Sequence, residues 1–351
     1  MNRDALLAAI GRKETIEAEN LSGLDLSGAD LSDGRFANVD LHGANLTGAT
    51  MVRTGFTDCD LSGADLDGAR LEKALCKGVR LKGARLKRTR LFMAMMEGAD
   101  LSGADLTGSH IERSTLHGCD LSQTTLAGAT LFQCAMRDAR LSGADFSGAG
   151  LTRVILTAAD LKGTRFSGCR LEKVIFRQCS LTGQDFRGCT VRLVTARETD
   201  LKGANFSGVH MPMCNFSGSD LTGATLEKAH ARQGQFIDAV LKEACLAGTA
   251  LDQSQFAGAD LSLADFSGAA VDKGIFKRAA CRGTRFRNAA LTQVDFSHAD
   301  LTGADFTGAD LTLARLHRIT EKDTLWERAR RESARGDDPD AAAAEDWAPA
   351  L

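Results

Sequence analysis

A repeat of five residues runs through most of this chain of 351 residues. Every fifth position from Leu21 to Leu316 is apolar, with no exception among 60 positions and no change of register. Two residues before each of these large positions, small side chains predominate, and alanine is the commonest. A period of five matches neither the period of about 3.6 of an α-helix nor the two-residue alternation of a single strand. It fits a coil in which each five-residue unit forms one side and one corner, with two of its residues turned inward.

Four of these units close a square coil of 20 residues, so residues 19–318 predict about 15 coils. Residues that are 20 apart then form a column along the coils. All 15 phenylalanines at the large inward positions fall in two columns, that of Leu26 and that of Phe36. These columns are ten residues apart and therefore face each other, while the other two hold mainly leucine. A core of constant cross-section requires this compensation of volumes, which supports the four-sided coil.

The repeated pattern Ala-Asp/Asn-Leu-x-x, as in Ala299-Asp300-Leu301-Thr302-Gly303, resembles the pentapeptide-repeat family and covers about 300 of the 351 residues. The resemblance implies an all-β solenoid in the form of a right-handed quadrilateral β-helix, which we expect to carry short N- and C-terminal capping helices. The predicted organisation is an N-terminal helical cap at 1–18, the β-helix at 19–318, a C-terminal helix at 319–336, and an acidic, disordered tail at 337–351.

Both ends of the predicted β-helix need a cap, because a bare terminal coil offers unpaired backbone to neighbouring chains. A short helix at 4–11 supplies one cap, with Leu6, Leu7 and Ile10 expected to cover the first coil. At the other end Trp326 is our candidate for an end-cap or a dimer contact, and a homodimer through the C-terminal end is left open. Trp347 in the tail belongs either to a short docking peptide or to a solvated segment.

The sequence lacks the motifs of the common catalytic and cofactor sites. Nine of the ten cysteines fall at inward positions, Cys245 alone is expected outside, and no C-x₂-C spacing occurs. We interpret them as buried, unpaired thiols in a reducing compartment. All seven histidines are expected to face outward without a zinc-binding spacing, and only His210 and His230 stack one coil apart. We therefore predict no enzyme activity, no cofactor and no metal site.

One corner of the predicted coil differs from the others. The second residue after the large position is glycine in most units of the Leu21 and Leu26 columns but in none of the Leu31 column, which predicts a different turn there. Outward apolar side chains with basic neighbours line this corner. The candidate partner-binding residues are Phe92, Met93, Met95, Arg113, Phe132, Arg153, Ile155, Lys173, Ile175, Leu193 and Met213. An apolar strip with a charged rim is typical of a protein-interaction surface, although stiff side chains that stack coil on coil would give the same pattern.

Charge and hydropathy restrict the partners. Residues 19–318 hold 35 basic and 34 acidic residues, so we expect no direct binding of nucleic acid. No apolar run is long enough to span a membrane, and we expect a cytoplasmic location. A ladder of aspartates from Asp40 to Asp300 recurs along one side of the coil, and we interpret it as bonded to local backbone.

These observations predict a non-enzymatic scaffold or adaptor that binds a protein partner of unknown identity through the outer surface of the β-helix. The resemblance further implies an accessory protein of a bacterial secretion system as one form of this role. Some members of the family are DNA mimics that bind DNA gyrase and give quinolone protection, which is the alternative. Such mimics present a strongly negative surface, whereas the coil in this sequence is almost neutral.

Overall fold

The computed structural model describes residues 1–347 and divides into two compact units, Met1–Thr190 and a second unit that begins at Val191. In each unit residue i pairs in parallel with residue i+20, as Phe36 does with Phe56 in the first unit and His210 with His230 in the second. The predicted all-β solenoid is therefore confirmed. The coil count differs from the 15 predicted, because backbone pairing begins at Thr15 and extends to Arg335, outside both limits of the predicted β-helix.

Short strands pair the coils of the first unit, and single-residue bridges pair those of the second. The helices within residues 1–347 are α1 (Arg3–Gly11) and α2 (Pro339–Asp346). The strands are β1 (Thr15–Glu17), β2 (Arg35–Ala37), β3 (Gly55–Thr57), β4 (Leu75–Lys77), β5 (Arg90–Phe92), β6 (His110–Glu112), β7 (Thr130–Phe132), β8 (Ala135–Arg137), β9 (Gly150–Thr152), β10 (Ile155–Thr157), β11 (Arg170–Glu172), β12 (Ile175–Arg177) and β13 (Thr190–Arg192). In the first unit β1 to β4 lie side by side in chain order, β8, β10 and β12 form a second sheet, and β5, β6, β7, β9 and β11 a third.

Phenylalanine rings fill the centre of the coils in the second unit. Phe256 and Phe276, both in the Phe36 column, stack with their ring centroids 4.7 Å apart. Phe266, from the facing column, meets Phe256 edge to face at 5.6 Å and Phe276 at 5.9 Å. Both arrangements are favourable for aromatic pairs. They confirm that the two phenylalanine columns face each other across the core.

Polar side chains at the small inward positions bond to the preceding coil. Thr54 Oγ1 donates to the Leu31 carbonyl oxygen at 2.9 Å, and Cys169 Sγ donates to that of Phe146 at 2.8 Å. Each bond satisfies a group that burial would otherwise leave without a partner. All ten cysteines are free, and the nine expected to face inward are buried. Burial raises the pKa of the Cys76 thiol to about 12, so this thiol stays protonated.

The backbone enters the left-handed region at corners of all four columns. Glycine occupies the corner at Gly23 and Gly28, with φ of 64° and 61°, but Met93 and Asn38 adopt φ of 55° and 53° in the other two columns. The lack of glycine in the Leu31 column therefore does not indicate a corner without a left-handed residue. Part of the Leu31 column does differ from the glycine columns in its local backbone. Its large inward residues lie in the extended strands β5, β6, β7, β9 and β11.

Helix α1 covers the first coil as predicted. It begins after Asn2, whose Oδ1 accepts a hydrogen bond from the Ala5 N–H at 2.9 Å and caps the helix. Leu6 and Ala9 are buried, and α1 packs on β1. The repeat begins earlier than predicted, inside the segment 1–18, because Ile16 takes the large inward position one coil before Phe36.

The predicted C-terminal helix at 319–336 is not formed, and the segment adds a further coil instead. Asp305 bridges Leu325, and Asp310 bridges Arg330, so this segment satisfies backbone groups that the preceding coil would otherwise expose. Trp326 takes a large inward position and stacks on Phe306 with ring centroids 4.5 Å apart. The sequence prediction failed here because two of the three large positions, Glu321 and Arg331, are polar, although the five-residue spacing continues.

The predicted disorder of the tail 337–351 is wrong for its described part. Asp338 caps α2 by accepting from the N–H groups of Asp340 and Ala341, and proline at the first turn followed by four alanines favours a helix. Arg318 holds this helix to the last coils, donating to Asp346 Oδ2 at 2.5 Å and to the Ala342 carbonyl oxygen at 3.1 Å. Trp347 is 73% exposed, and its docking role stays a prediction. The end of the predicted tail, 348–351, lies outside the described residues.

Candidate protein-interaction surface

The apolar side chains predicted at one corner line up along the first unit. We use the name apolar strip for Leu75, Phe92, Met93, Met95, Phe132, Ile155 and Ile175. Leu75 bridges Met95, and Ile155 pairs in register with Ile175. The smaller Thr115 and Ala135 stand between these two pairs in the same ladder. With coils ~4.8 Å apart, the strip has two apolar ends separated by roughly 14 Å.

Most of the apolar strip is exposed to solvent. Met93, Met95 and Ile155 keep 45%, 51% and 43% of their surface accessible. Phe92 and Phe132 are half-buried beside them, in register on β5 and β7 with Glu112 of β6 between them. Aligned exposed apolar side chains of this kind mark interaction sites more often than isolated ones do.

The corner beside the apolar strip carries backbone strain. Met93, Arg113, Arg153 and Lys173 all lie in the left-handed region, with φ between 51° and 56°. An L-residue there costs about 1 kcal/mol or more relative to glycine. The chain does place glycine at the corresponding corners of the Leu21 and Leu26 columns. Every fifth residue from Lys13 to Arg328 has a positive φ, and non-glycine residues occupy such corners in both units. The left-handed backbone is therefore a property of the repeat and does not distinguish the strip.

Basic side chains flank the apolar strip, and two of them are without a partner. The Arg113 guanidinium lies 5.9 Å from the centre of the Phe92 ring and donates to Gln133 Oε1 at 3.1 Å. Arg153 and Lys173 form no ion pair with any residue in the described range 1–347. Two unpaired cations beside exposed apolar groups favour a partner segment that carries carboxylates.

Nine of the eleven candidate residues come together on this corner of the first unit: Phe92, Met93, Met95, Arg113, Phe132, Arg153, Ile155, Lys173 and Ile175. The other two, Leu193 and Met213, lie in the second unit, at the same corner of their own coils. Met213 is 40% exposed, and Leu193 is half-buried. The binding role of all eleven stays a prediction.

The aspartate ladder bonds to the repeat itself, as interpreted from the sequence. Each carboxylate accepts from the backbone N–H two residues later, as Asp60 does from Ser62 and Asp300 from Thr302. Many are also paired with a cation from an adjacent coil, such as Asp120 with Arg140 at 2.5 Å. Burial favours the neutral form of the Asp120 carboxyl, but the bonds from Ser122 and Arg140 outweigh it and lower its pKa. The ladder is therefore not a row of free negative charges.

One cluster was missed by the sequence analysis. His317, expected to face outward, is buried under α2, where it meets His298 and Glu345. The two histidines are 19 residues apart, which in a 20-residue period places them on adjacent coils. This spacing was the only available signal, because Glu345 lies beyond the repeat and no periodicity positions it.

Comparison with protein families agrees with the coil. A model described as pentapeptide repeats matches residues 20–58, 59–92, 94–123, 199–233, 235–269 and 276–318, and a model of a pentapeptide repeat region matches 129–206. The chain belongs to the pentapeptide-repeat family. No curated protein matches the sequence of this pentapeptide-repeat protein.

Several solved structures are similar to this pentapeptide-repeat protein. HetL from Nostoc sp. strain PCC 7120, described as involved in heterocyst differentiation regulation, shares 21% identity over 95% of this chain and 96% of its own, with a TM-score of 0.22. QnrB1, a plasmid-mediated fluoroquinolone resistance protein, shares 19% identity over 66% and 96%, with a TM-score of 0.25. An alginate lyase shares 9% over 95% and 86%, with a TM-score of 0.33. At these values the structures carry no argument about function.

The described helices are short and leave no candidate for a membrane span. Neither α1 nor α2, the helices within residues 1–347, has the length and apolar content needed to cross a bilayer.

Proposed function

We propose that this protein is a non-catalytic scaffold or adaptor that binds a protein partner along the apolar strip of its first unit. The observation that carries the proposal is the alignment of exposed apolar side chains along one corner of the first unit, beside the cations Arg153 and Lys173, which form no ion pair within residues 1–347. Stacking support within the sheet would explain the β-branched residues on the strip. It does not explain the exposed methionines Met93 and Met95, which are not β-branched.

The partner expected from this surface has apolar side chains flanked by carboxylates. Its apolar groups would cover Met93, Met95 and Ile155, and its carboxylates would meet Arg153 and Lys173. Desolvated apolar contacts at the centre with charges at the rim are the usual arrangement of specific interfaces. An accessory role in bacterial secretion is one form of this proposal, and the identity of the partner would decide it.

Replacing one apolar and three basic residues of the strip and its rim by glutamate is expected to abolish partner capture. The variant combines Met93→Glu with Arg113→Glu, Arg153→Glu and Lys173→Glu, which places carboxylates where carboxylates of the partner should bind. Proteins that the native chain captures are quantified, and crosslinking identifies those that contact the strip. We expect the recovered amount of these proteins to fall at least tenfold with the variant. Circular dichroism checks that its fold is retained.

The matched control changes the same corner in the second unit, outside the strip. It combines Gln233→Glu, Gln253→Glu, Lys273→Glu and Gln293→Glu, all exposed residues of the same column with left-handed φ. Capture should be retained by this control. Equal capture by all three proteins, or equal loss in both variants, would remove the strip from the proposal.

We also propose that the chain is not an enzyme and works in the cytoplasm. Its inward positions are filled with leucine, phenylalanine and small residues, which leaves little room for a desolvated substrate between coils. Ten unpaired cysteines favour a reducing compartment.

The adaptor proposal is preferred to the DNA-mimic alternative on grounds of charge. The acidic ladder is bonded to backbone and in many coils neutralised by arginine or lysine from the adjacent coil, as Asp120 is by Arg140 at 2.5 Å. We expect the purified protein to leave the supercoiling activity of DNA gyrase unchanged, with and without a quinolone. Inhibition or protection in this assay would reverse the preference.

A further inference from the structure

Three side chains with metal-binding atoms converge where α2 packs on the second unit. His298 and His317 come from adjacent coils, and Glu345 comes from α2. One ligand atom from each lies within 4.8 Å of the other two. His317 is only 8% exposed, so part of the cluster is shielded from water.

The distances between these atoms fit ligands of one metal ion. His298 Nε2 lies 3.2 Å from Glu345 Oε1, and His317 Nε2 lies 3.4 Å from Oε2. Two ligands at about 2.0–2.1 Å from a tetrahedral zinc ion are about 3.3 Å apart. Charge-assisted hydrogen bonds between the same groups are usually shorter, at about 2.7–2.9 Å. Each histidine faces a different oxygen of Glu345, so these distances fit direct hydrogen bonds to the carboxylate and also a single ion that would replace them.

Charges of both signs surround the cluster. Asp337 Oδ1 lies 3.8 Å from His317 Nδ1, and Asp346 lies beside Arg318, whose Nε is 3.4 Å from Glu345 Oε2. A cavity of about 700 Å³ borders both histidines and Glu345. This cavity is lined by Lys277, Arg278, Arg315 and Arg335 as well as by Asp238, Asp295 and Asp338, so the donor atoms and not the net charge carry the inference. The cavity provides an entry path and room for a water or an anion as the fourth ligand.

Metal binding has a defined consequence for His317. The Asp338 N–H donates to Nδ1 of His317 at 3.0 Å, which leaves the proton of the neutral ring on Nε2. Ligation through Nε2 moves that proton to Nδ1, so the Asp338 N–H must turn away. The Asp337 carboxylate is then the acceptor for Nδ1–H, in the manner of the carboxylate–histidine pairs that support metal ligands.

We infer that His298, His317 and Glu345 form a transition-metal site, of the zinc class, that fastens α2 to the last coils of the second unit. Two imidazoles and one carboxylate are a donor set that suits zinc and neighbouring divalent metals. The site is independent of the apolar strip, which belongs to the first unit. Metal binding would order the acidic C-terminal segment without any contribution from a protein partner.

Zinc titration of the tag-free, full-length protein tests the site. We expect calorimetry to give one site with a dissociation constant of ~1 µM or tighter, and binding at least tenfold weaker in His298→Ala and in Glu345→Gln. Cobalt as a spectroscopic probe should show nitrogen and oxygen ligation without a thiolate charge-transfer band, which separates this site from the ten cysteines. The matched control is His210→Ala with His230→Ala, the other stacked histidine pair, whose rings are 6.0 Å apart.

Hydrogen exchange of the backbone amides of residues 337–347 supplies a second readout. A metal ion bound elsewhere on the surface would not change these exchange rates. Zinc should slow exchange of this segment in the native chain and in the His210/His230 control, but not in Glu345→Gln. The inference is overturned if the native chain binds zinc no tighter than ~100 µM, or if His298→Ala or Glu345→Gln binds as well as the native chain. It is also overturned if zinc leaves the exchange of α2 unchanged, because Glu345 would then not be a ligand.

Discussion

Acidification from pH 5 to pH 2 is expected to remove much of the free energy of unfolding of both units. Their aspartates accept bonds that only the ionised carboxylate can accept fully. For one group of them burial favours the neutral form, but bonds from the N–H and hydroxyl of the serine or threonine two residues later outweigh it and lower the pKa. This group consists of Asp60, Asp105, Asp120, Asp220, Asp260, Asp265, Asp295, Asp300 and Asp305.

Asp145 shows the effect most strongly. The side chain of Arg165, 2.6 Å from Oδ2, is the main cause that lowers the pKa of this carboxyl from 3.8 to about 2, and the hydroxyl and N–H of Ser147 add to it. A pKa that is lower in the folded state stabilises the fold above the unfolded pKa and ceases to do so as pH falls through the folded one. For Asp145 that window runs from about pH 4 to about pH 2.

The urea midpoint, measured by circular dichroism from pH 7 to pH 2, should fall steeply below pH 4. Asp145→Asn should lower the free energy of unfolding at pH 7 by about 1–2 kcal/mol, after allowance for solvent screening, and by almost nothing at pH 2. Asp138→Asn is the control, since the exposed carboxylate of Asp138 bonds to no other residue within 1–347. A midpoint that is flat between pH 4 and pH 2 would contradict the stabilising role assigned to these aspartates.

Removal of one ring from the phenylalanine core is expected to cost about 3–5 kcal/mol. Phe276 is fully buried and stacks on Phe256 at 4.7 Å, while the Phe296 ring lies 4.9 Å away at a tilt of 35°. Phe266 and Phe286 meet it edge-on at 5.9 and 6.0 Å. Phe276→Ala leaves a cavity between coils whose backbones are held by pairing on both sides, so little collapse can relieve it. Urea unfolding followed by circular dichroism, with Trp326 fluorescence as a probe of the second unit, measures the loss.

Phe276→Leu is the matched control. Leucine occupies the same column at Leu116 and Leu156 in the first unit, so it fits the inward position in shape. We expect it to cost less than about 1.5 kcal/mol. If alanine cost no more than leucine, the stacked rings would not be the source of core stability in this unit.

The fold could be predicted because every five-residue repeat places one large and one small side chain at the same two inward positions. A single register from Leu21 to Leu316 leaves one closed arrangement, and the two phenylalanine columns identify its facing sides. Near Val191 the core is thinner, because valine and alanine take the large inward positions at Val191 and Ala196. The boundary between the two units falls at that point, between Thr190 and Val191.

The C-terminal region could not be predicted for two physical reasons. In residues 319–336 the large positions hold Glu321, Trp326 and Arg331, so the hydrophobic pattern stops although backbone pairing continues. Arg331 lies 4.7 Å from the Trp326 ring and 3.6 Å from Glu321, which closes the last coil with polar contacts. The tail was judged by its acidic composition, which concealed the capping signal of Asp338 and Pro339.

The candidate surface was predictable to the same extent as the coil. The direction of each strip residue follows from its place in the 20-residue period, so its alignment needed no tertiary information. The positive φ of arginine, lysine and methionine at this corner follows from their place in the five-residue unit, because every fifth residue from Lys13 to Arg328 has a positive φ whatever its type. The metal-binding cluster required α2, and its docking depends on Arg318 rather than on any repeat.

Pairing of residue i with residue i+20 means that a side chain's surroundings depend mainly on its remainder after division by 20. Stability measurements for substitutions at the 20 positions of one coil therefore estimate the effects of the same substitutions at the equivalent positions of the other coils in that unit. Thr124 and Thr164 lie in the same column, two coils apart, and each hydroxyl bonds to a carbonyl oxygen 23 residues earlier. Positions where the measured effect differs from that at the equivalent residue of another coil would be the ones that serve a role other than stabilising the fold.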